Sequence, residues 1–246
     1  MNQVSLHAIV TGVSQGLGEA LATDLLTRGA HVLGIGRVSS QRLAGERYRF
    51  LRCDLAQASM LPAMVEPAFA AIAAQRPAHV CLVNNAATLE PVGVLGTTEA
   101  DAIMTSITVN LTAPIVLASV FCDAFHDGAI ERRIINVSSG AAQSVITGEA
   151  LYCIAKAGLE MLTQTLAAEH GSDRFRAISL RPGVMDTPMQ THARTQPKER
   201  LPSVDLFQGF HAAGQLVAPE AVARKVVDRL VLAPVEQGRT YRYAEL

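Results

Sequence analysis

The sequence predicts an α/β chain built on one doubly wound parallel sheet with helices covering both faces. Short runs of β-branched and other apolar residues alternate with longer Ala/Leu-rich stretches of helical length, the order expected of βαβ units. Several of the short runs are apolar nearly throughout, as a sheet buried on both faces requires. A glycine-rich turn, Thr11 to Gly18, follows the first such run and opens an amphipathic stretch.

The elements follow in order. A first strand is expected over Ser5 to Val10 and a helix over Gly18 to Arg28. A second strand, His31 to Ile35, runs into Gly36-Arg37, and a third, Arg49 to Arg52, precedes Asp54. Ser59 to Gln75 reads as a helix, and His79 to Val83 as a strand that enters Asn84-Asn85-Ala86-Ala87. Asp101 to Phe125 is a helix with room for a break, since Thr105, Ser106, Thr108, Asn110, Thr112 and Pro114 interrupt its apolar residues. The same interruptions argue against a membrane span and for burial against the sheet or another subunit. Arg133 to Val137 and Ala177 to Leu180 are strands on either side of a long helix, Ala150 to His170. Pro219 to Leu232 makes the last helix, and a short strand lies near Arg239 to Tyr243. Between about Asp186 and Gly214, where Pro188, Pro197 and Pro202 fall, no periodicity is visible. A loop of that length reads as a substrate lid, spanning about 186–216. No repeat or linker divides the chain, so residues 1–246 form one domain.

Composition narrows the function. Apolar residues make up 49% of the chain and charged residues 17%, enough for a large core and a subunit interface. A net charge of −1 with no Lys/Arg run excludes nucleic acid or an anionic membrane as the main partner and favours a small molecule. Met1 to Gly12 shows no basic segment leading into a long apolar run, so no secretion signal is expected and the chain is assigned to the cytoplasm. Cys53, Cys81, Cys122 and Cys153 lack CxxC spacing and read as reduced packing thiols. The histidines lack ligand spacing, and no metal is predicted.

The glycine turn is the first site. Its glycines permit a tight turn and close backbone approach, and the free N–H groups of the following helix favour a pyrophosphate. Gly12, Ser14, Gln15, Gly16, Leu17 and Gly18 are the residues placed to hold a dinucleotide. At the end of the second strand, an acid would bind an adenosine ribose, whereas a guanidinium pairs with a 2′-phosphate. Gly36 removes the acid and Arg37 supplies the cation, so NADP(H) is expected over NAD(H), with Ser39 and Arg42 as secondary contacts.

The second site is chemical. Tyr152 and Lys156 are four residues apart, on one face of a helix, and Ser139 lies thirteen residues upstream of the tyrosine. A phenol of pKa ~10 is a poor acid or base at neutral pH unless a cation favours its ionised form, and Lys156 is placed to do so. Tyr152 would protonate a developing alkoxide and Ser139 would hydrogen-bond the same oxygen. Ser138 points away if the chain is extended, because side chains alternate.

These motifs, in this order, resemble the short-chain dehydrogenase/reductase family, a Rossmann-type fold, over nearly the whole chain: TGVSQGLG, Asp54, NNAA, Asn110, Ser139, the YxxxK of Tyr152 to Lys156, and Pro182-Gly183. The resemblance implies that Asp54 and Leu55 meet the adenine end of the cofactor, that Asn85 and Ala86 lie along it, and that Asn84 helps hold the sheet. It implies that Lys156 binds the nicotinamide ribose beside Tyr152, and that Val184 and Thr187, after Pro182-Gly183, meet the carboxamide. Asn110 would organise a water or main-chain link to Lys156 and joins Ser139, Tyr152 and Lys156 as catalytic. Two departures stand out: Ala87 replaces the usual glycine of NNAG, and Gln15 takes a position often basic in NADP-dependent members.

The strings 151–169 and 181–190 are similar to those of sepiapterin reductase-like and benzil reductase-like members. The acid that holds a pterin near the C-terminus has only Glu245 as an out-of-register counterpart here. The resemblance implies hydride transfer between nicotinamide and a carbonyl or alcohol, most simply reduction of an aromatic or hydrophobic ketone, diketone or pterin-like compound. The substrate would lie against Ala141, Gln143, Ile146, Glu149, Met185 and the lid. Family members also imply a homodimer or homotetramer. A regulator that binds NADPH without turnover would use the same fold, but the intact Ser139, Tyr152 and Lys156 weigh against it.

Overall fold

The computed structural model describes residues 5–246. The reading of the N-terminus as free of a secretion signal rests partly on residues 1–4, which lie outside the described residues. Seven parallel strands form one sheet in the order β3-β2-β1-β4-β5-β6-β7. They are β1 (Leu6–Thr11), β2 (His31–Gly36), β3 (Tyr48–Arg52), β4 (His79–Asn84), β5 (Glu131–Val137), β6 (Phe175–Arg181) and β7 (Thr240–Arg242). All seven expected strands are present, with their ends shifted by a residue or two.

Eight α-helices are described: α1 (Gly16–Thr27), α2 (Leu61–Ala73), α3 (Ala100–Ile107), α4 (Ala113–Ala124), α5 (Ala150–Glu169), α6 (Pro188–Arg194), α7 (Val204–Ala212) and α8 (Pro219–Val226). Two apolar layers sandwich the sheet. Leu21 and Leu25 of α1 and Val222, Val226, Val227 and Leu230 of the α8 region pack with Val10, Val83 and Ile178 on one face. Val65 and Phe69 of α2, Leu117 and Phe121 of α4, and Leu166 of α5 pack with Ile9, Leu82 and Ile134 on the other. Burial on both faces explains why β1 and β4 are apolar nearly end to end.

The break expected inside the third helix is a π-helical turn at Thr108–Thr112 that joins α3 to α4. Pro114 has no N–H to give the Asn110 carbonyl four residues back, and the wider turn takes up that loss. The stretch Ala100–Ala124 is long and apolar enough to cross a membrane by length and composition. Here Leu117, Ala118 and Phe121 are sealed against the sheet, and Ser106 and Asn110 are buried.

The lid is more ordered than its sequence suggested. In place of an irregular loop, 186–214 holds α6 and α7. Thr187 caps α6, accepting from Gln190 N, and Pro188 takes the first turn, where a missing N–H costs nothing. Ala193, Leu201 and Val204 bury against Leu89 and Val92, with Met189 and Phe207 packed alongside. The prolines mark the start of one helix and the link to the next.

Candidate active site

The strand order reverses direction between β1 and β4, and there a cleft of about 810 Å³ opens at the carboxyl ends of the strands. The turn between β1 and α1 forms its floor. Gly12 and Gly16 take φ of +73° and +61°, which side chains disfavour. A Cβ on Gly12 would lie 2.8 Å from Ala86 Cα, so the glycine lets the β4 loop come close. Thr11 Oγ1 accepts from the N–H groups of Asn85 and Ala86, each at 2.9 Å, and Asn85 Nδ2 donates to Thr11 O at 2.9 Å. These bonds tie the two halves of the sheet together beneath the cleft. The N-cap residue of α1, Gln15, makes no side-chain capping bond, so the helix start keeps N–H donors for an anion.

Ser14, Gln15, Gly16, Leu17, Arg37, Asp54, Leu55, Asn85 and Ala86 line this half of the cleft. Gly18 does not. A Cβ there would sit 2.2 Å from Gly12 O, so its role is to seat α1 against the turn. Arg37 is exposed at the cleft wall and bonds no other described residue. Ser39 and Arg42 lie off the cleft, and the Ser39 hydroxyl is 2.6 Å from Tyr48 Oη. Ala87 is free of positive φ, so replacing the usual glycine strains nothing. Together the glycine cradle and the open helix start fit a nicotinamide dinucleotide.

The other half is chemical. Ser139, Tyr152 and Lys156 line it, with Pro182, Gly183, Val184 and Thr187 opposite. Lys156 is 2% exposed, and its Nζ donates to Val137 O at 2.7 Å and sits 5.3 Å from the Tyr152 ring centre. Burial pushes its pKa down to about 8. Tyr152 moves the other way: burial, aided by the charge of Glu149, raises its pKa, and the Ser139 hydroxyl only partly offsets this. The phenol's raised pKa reflects its burial, and Lys156, with one donor on Val137 O, lies beside its ring. Ser138, as expected, turns away, donating to Glu160 Oε1 at 2.7 Å.

Asn110 does not line the cleft. Its Oδ1 accepts from Thr88 N and its Nδ2 donates to Thr88 O, both at 2.8 Å, which clamps the loop after β4. Among the described residues it makes no direct bond to Lys156. Asn84 holds the sheet, as the resemblance implied: its Nδ2 donates to Asn136 Oδ1 at 2.9 Å, and Asn136 Nδ2 donates to Thr163 Oγ1 at 2.9 Å. Gln143 also leaves the substrate wall, because its Oε1 accepts from Arg181 at 2.6 Å. Glu245 pairs with Arg239 at 3.5 Å instead of facing the cleft.

Two supports went unread in the sequence. Glu160 binds Arg181 through both carboxylate oxygens, at 2.7 and 2.6 Å, and accepts from Ser138, so it braces α5 against β6. Its position four residues after Lys156 was the available signal. Buried Arg133 donates to the carbonyls of Leu230, Val231 and Ala233, closing the helical end after α8. No metal-binding cluster occurs among the described residues.

Comparison with known proteins agrees with this geometry. Residues 6–198 match the family model described as short chain dehydrogenase. The chain is 33% identical to a benzil reductase ((S)-benzoin forming) of Bacillus cereus, across 97% of this chain and 99% of that one. It is 34% identical to the sepiapterin reductase of Mus musculus, across 94% and 93%. Among solved structures, the KRED1-Pglu enzyme superposes with a TM-score of 0.83 at 26% identity, covering 96% of this chain and all of that one. A short chain dehydrogenase of Burkholderia cenocepacia J2315 in complex with NADP superposes with a TM-score of 0.74 at 26% identity, across 98% and 97%. The chain therefore belongs to the short-chain dehydrogenase/reductase family of Rossmann-fold oxidoreductases.

Proposed function

We propose that the chain is an NADP(H)-dependent carbonyl reductase acting on an aromatic or hydrophobic ketone or diketone. One observation carries the reading: Ser139, Tyr152 and Lys156 meet at one end of a cleft whose other end presents the unpaired Arg37. The glycine turn and α1 would hold the pyrophosphate, Arg37 the 2′-phosphate, Asp54 and Leu55 the adenine end, and Lys156 the nicotinamide ribose. The bound nicotinamide supplies the hydride. Tyr152, protonated because it is buried, gives its proton to the oxygen on which negative charge develops. Ser139 donates a hydrogen bond to that oxygen, where a fixed donor contributes most. Lys156, as an ammonium, makes loss of the phenolic proton easier. Ala141, Ile146, Met185, Met189, Phe207 and Phe210 give the substrate end an apolar wall.

The similarity to benzil reductases supports the ketone and diketone class. Exposed apolar side chains along the helices 100–124 and 150–169, Met104, Ile115, Ile154 and Met161, support a homodimer or homotetramer. The cytoplasm, where the NADP couple is kept reduced, is the compartment that suits the reaction.

Cofactor choice is the test of the adenine end. With a diketone substrate, Arg37→Ala is expected to raise KM for NADPH roughly tenfold or more, the loss of a charge-assisted contact, while leaving KM for NADH nearly unchanged. A native preference for NADH would refute the role of Arg37. Binding of NADPH without turnover of any carbonyl would favour a regulator.

A further inference from the structure

One group in the cleft wall is unused by the chemistry above. Glu149 stands at the N-cap of α5, three residues before Tyr152, is 2% exposed and lines the cleft. Its Oε1 is buried and has no hydrogen-bond partner among the described residues. An acceptor at an N-cap ordinarily takes a bond from the free N–H groups of the first turn, and Glu149 takes none. Among the described residues no cation pairs with it. Arg200, whose backbone passes beside Gly148 on the lid side, sends its guanidinium to Glu90 and Val92 O, and Lys156 gives its donor to Val137 O. The titratable groups that sense its charge are Tyr152 and Cys153 of its own helix.

A buried acceptor left unpaired is costly, so such groups in native proteins find a partner, and a group in a cleft wall can find it in a ligand. We propose that Glu149 is a specificity-determining residue: its carboxyl binds a hydroxyl or amino group on the carbonyl substrate and selects such compounds over purely apolar ketones. The proposal rests on the reductase reading and names the substrate class of the same site. Residues three apart at a helix start have Cβ atoms about 5–6 Å apart, so the donor sits within a bond or two of the carbonyl that meets Tyr152. An unsubstituted aromatic ketone would bury the carboxyl without a partner. Burial, the sole cause, raises the Glu149 pKa to about 7. Only the ionised form is a pure acceptor, so preference for a donor grows as pH rises through that value.

The test compares 2-hydroxyacetophenone with acetophenone, for the native protein, Glu149→Gln and Glu149→Leu, by NADPH consumption between pH 6 and 8. Calorimetric binding of both compounds in the presence of NADP⁺ runs in parallel and needs no turnover. The native protein is expected to favour the hydroxyketone about tenfold or more, increasingly as pH rises. In Glu149→Leu the ratio of the two substrates should fall to about one, and in Glu149→Gln its pH dependence should vanish. An equal loss on both substrates in Glu149→Leu, or no selectivity in the native protein, overturns the proposal. Turnover without discrimination leaves the reductase reading standing and removes Glu149. Discrimination in binding without turnover does the reverse.

Discussion

Lys156 shows how one buried charge can set a pH limit. Its pKa of about 8 means that the ammonium, the form that eases proton loss from Tyr152, is present below that pH and is lost above it. The reductive kcat/KM is therefore expected to fall as pH climbs past about 8, and Lys156→Arg, which keeps its charge, should move that limb upward wherever activity survives. A flat profile to pH 9 would refute this. At this scale the sequence disclosed the residues that the cleft gathers, because YxxxK and the upstream serine are local spacings. It did not disclose their environment. The raised pKa of Tyr152 comes from burial beneath a lid far along the chain, and the unpaired state of Glu149 depends on where Arg200 and Lys156 send their charges. Asn110 was legible as important, but its partner, the Thr88 main chain, lies 22 residues away with α3 between them.

The lid is held by an apolar seam and by a polar latch at its edge. His192 of α6 meets Glu90 at 2.8 Å and Arg200 meets it at 3.4 Å, on the loop after β4. Burial pushes the Glu90 carboxyl up, but the Val92 N–H, His192 and Arg200 outweigh it and hold the pKa below the ordinary value. The latch is therefore fully present above the unfolded pKa of the carboxyl and is lost as pH falls through the lower folded one. Because Glu90 is about half exposed, the pair is worth at most ~1 kcal/mol. Glu90→Gln should speed hydrogen exchange across 188–212 a few-fold and leave α1 unchanged; equal exchange in the lid would contradict the latch. The strands were legible because continuous apolar runs flag a doubly covered sheet. α6 and α7 were not, since two helices of seven and nine residues offer about two turns of periodicity each, broken by prolines.

At the scale of the whole molecule, the doubly wound order places the glycine turn, Arg37 and the Ser139/Tyr152/Lys156 group along one crevice, though they are distant in sequence. Met104 and Met161 are exposed at 66% and 61%, and the proposed oligomer would bury them. Met104→Lys with Met161→Lys should shift the protein toward monomer in analytical ultracentrifugation while cofactor binding persists; a native protein that is already monomeric would refute this. The central claim is that Tyr152 gives the proton in a reaction that consumes NADPH. Its most direct test is the loss of NADPH absorbance in the presence of benzil, for the native protein and Tyr152→Phe, with NADPH affinity measured for both. The account predicts equal affinity and a kcat lower by about 10²-fold or more in the variant. Equal turnover by the two proteins would contradict it.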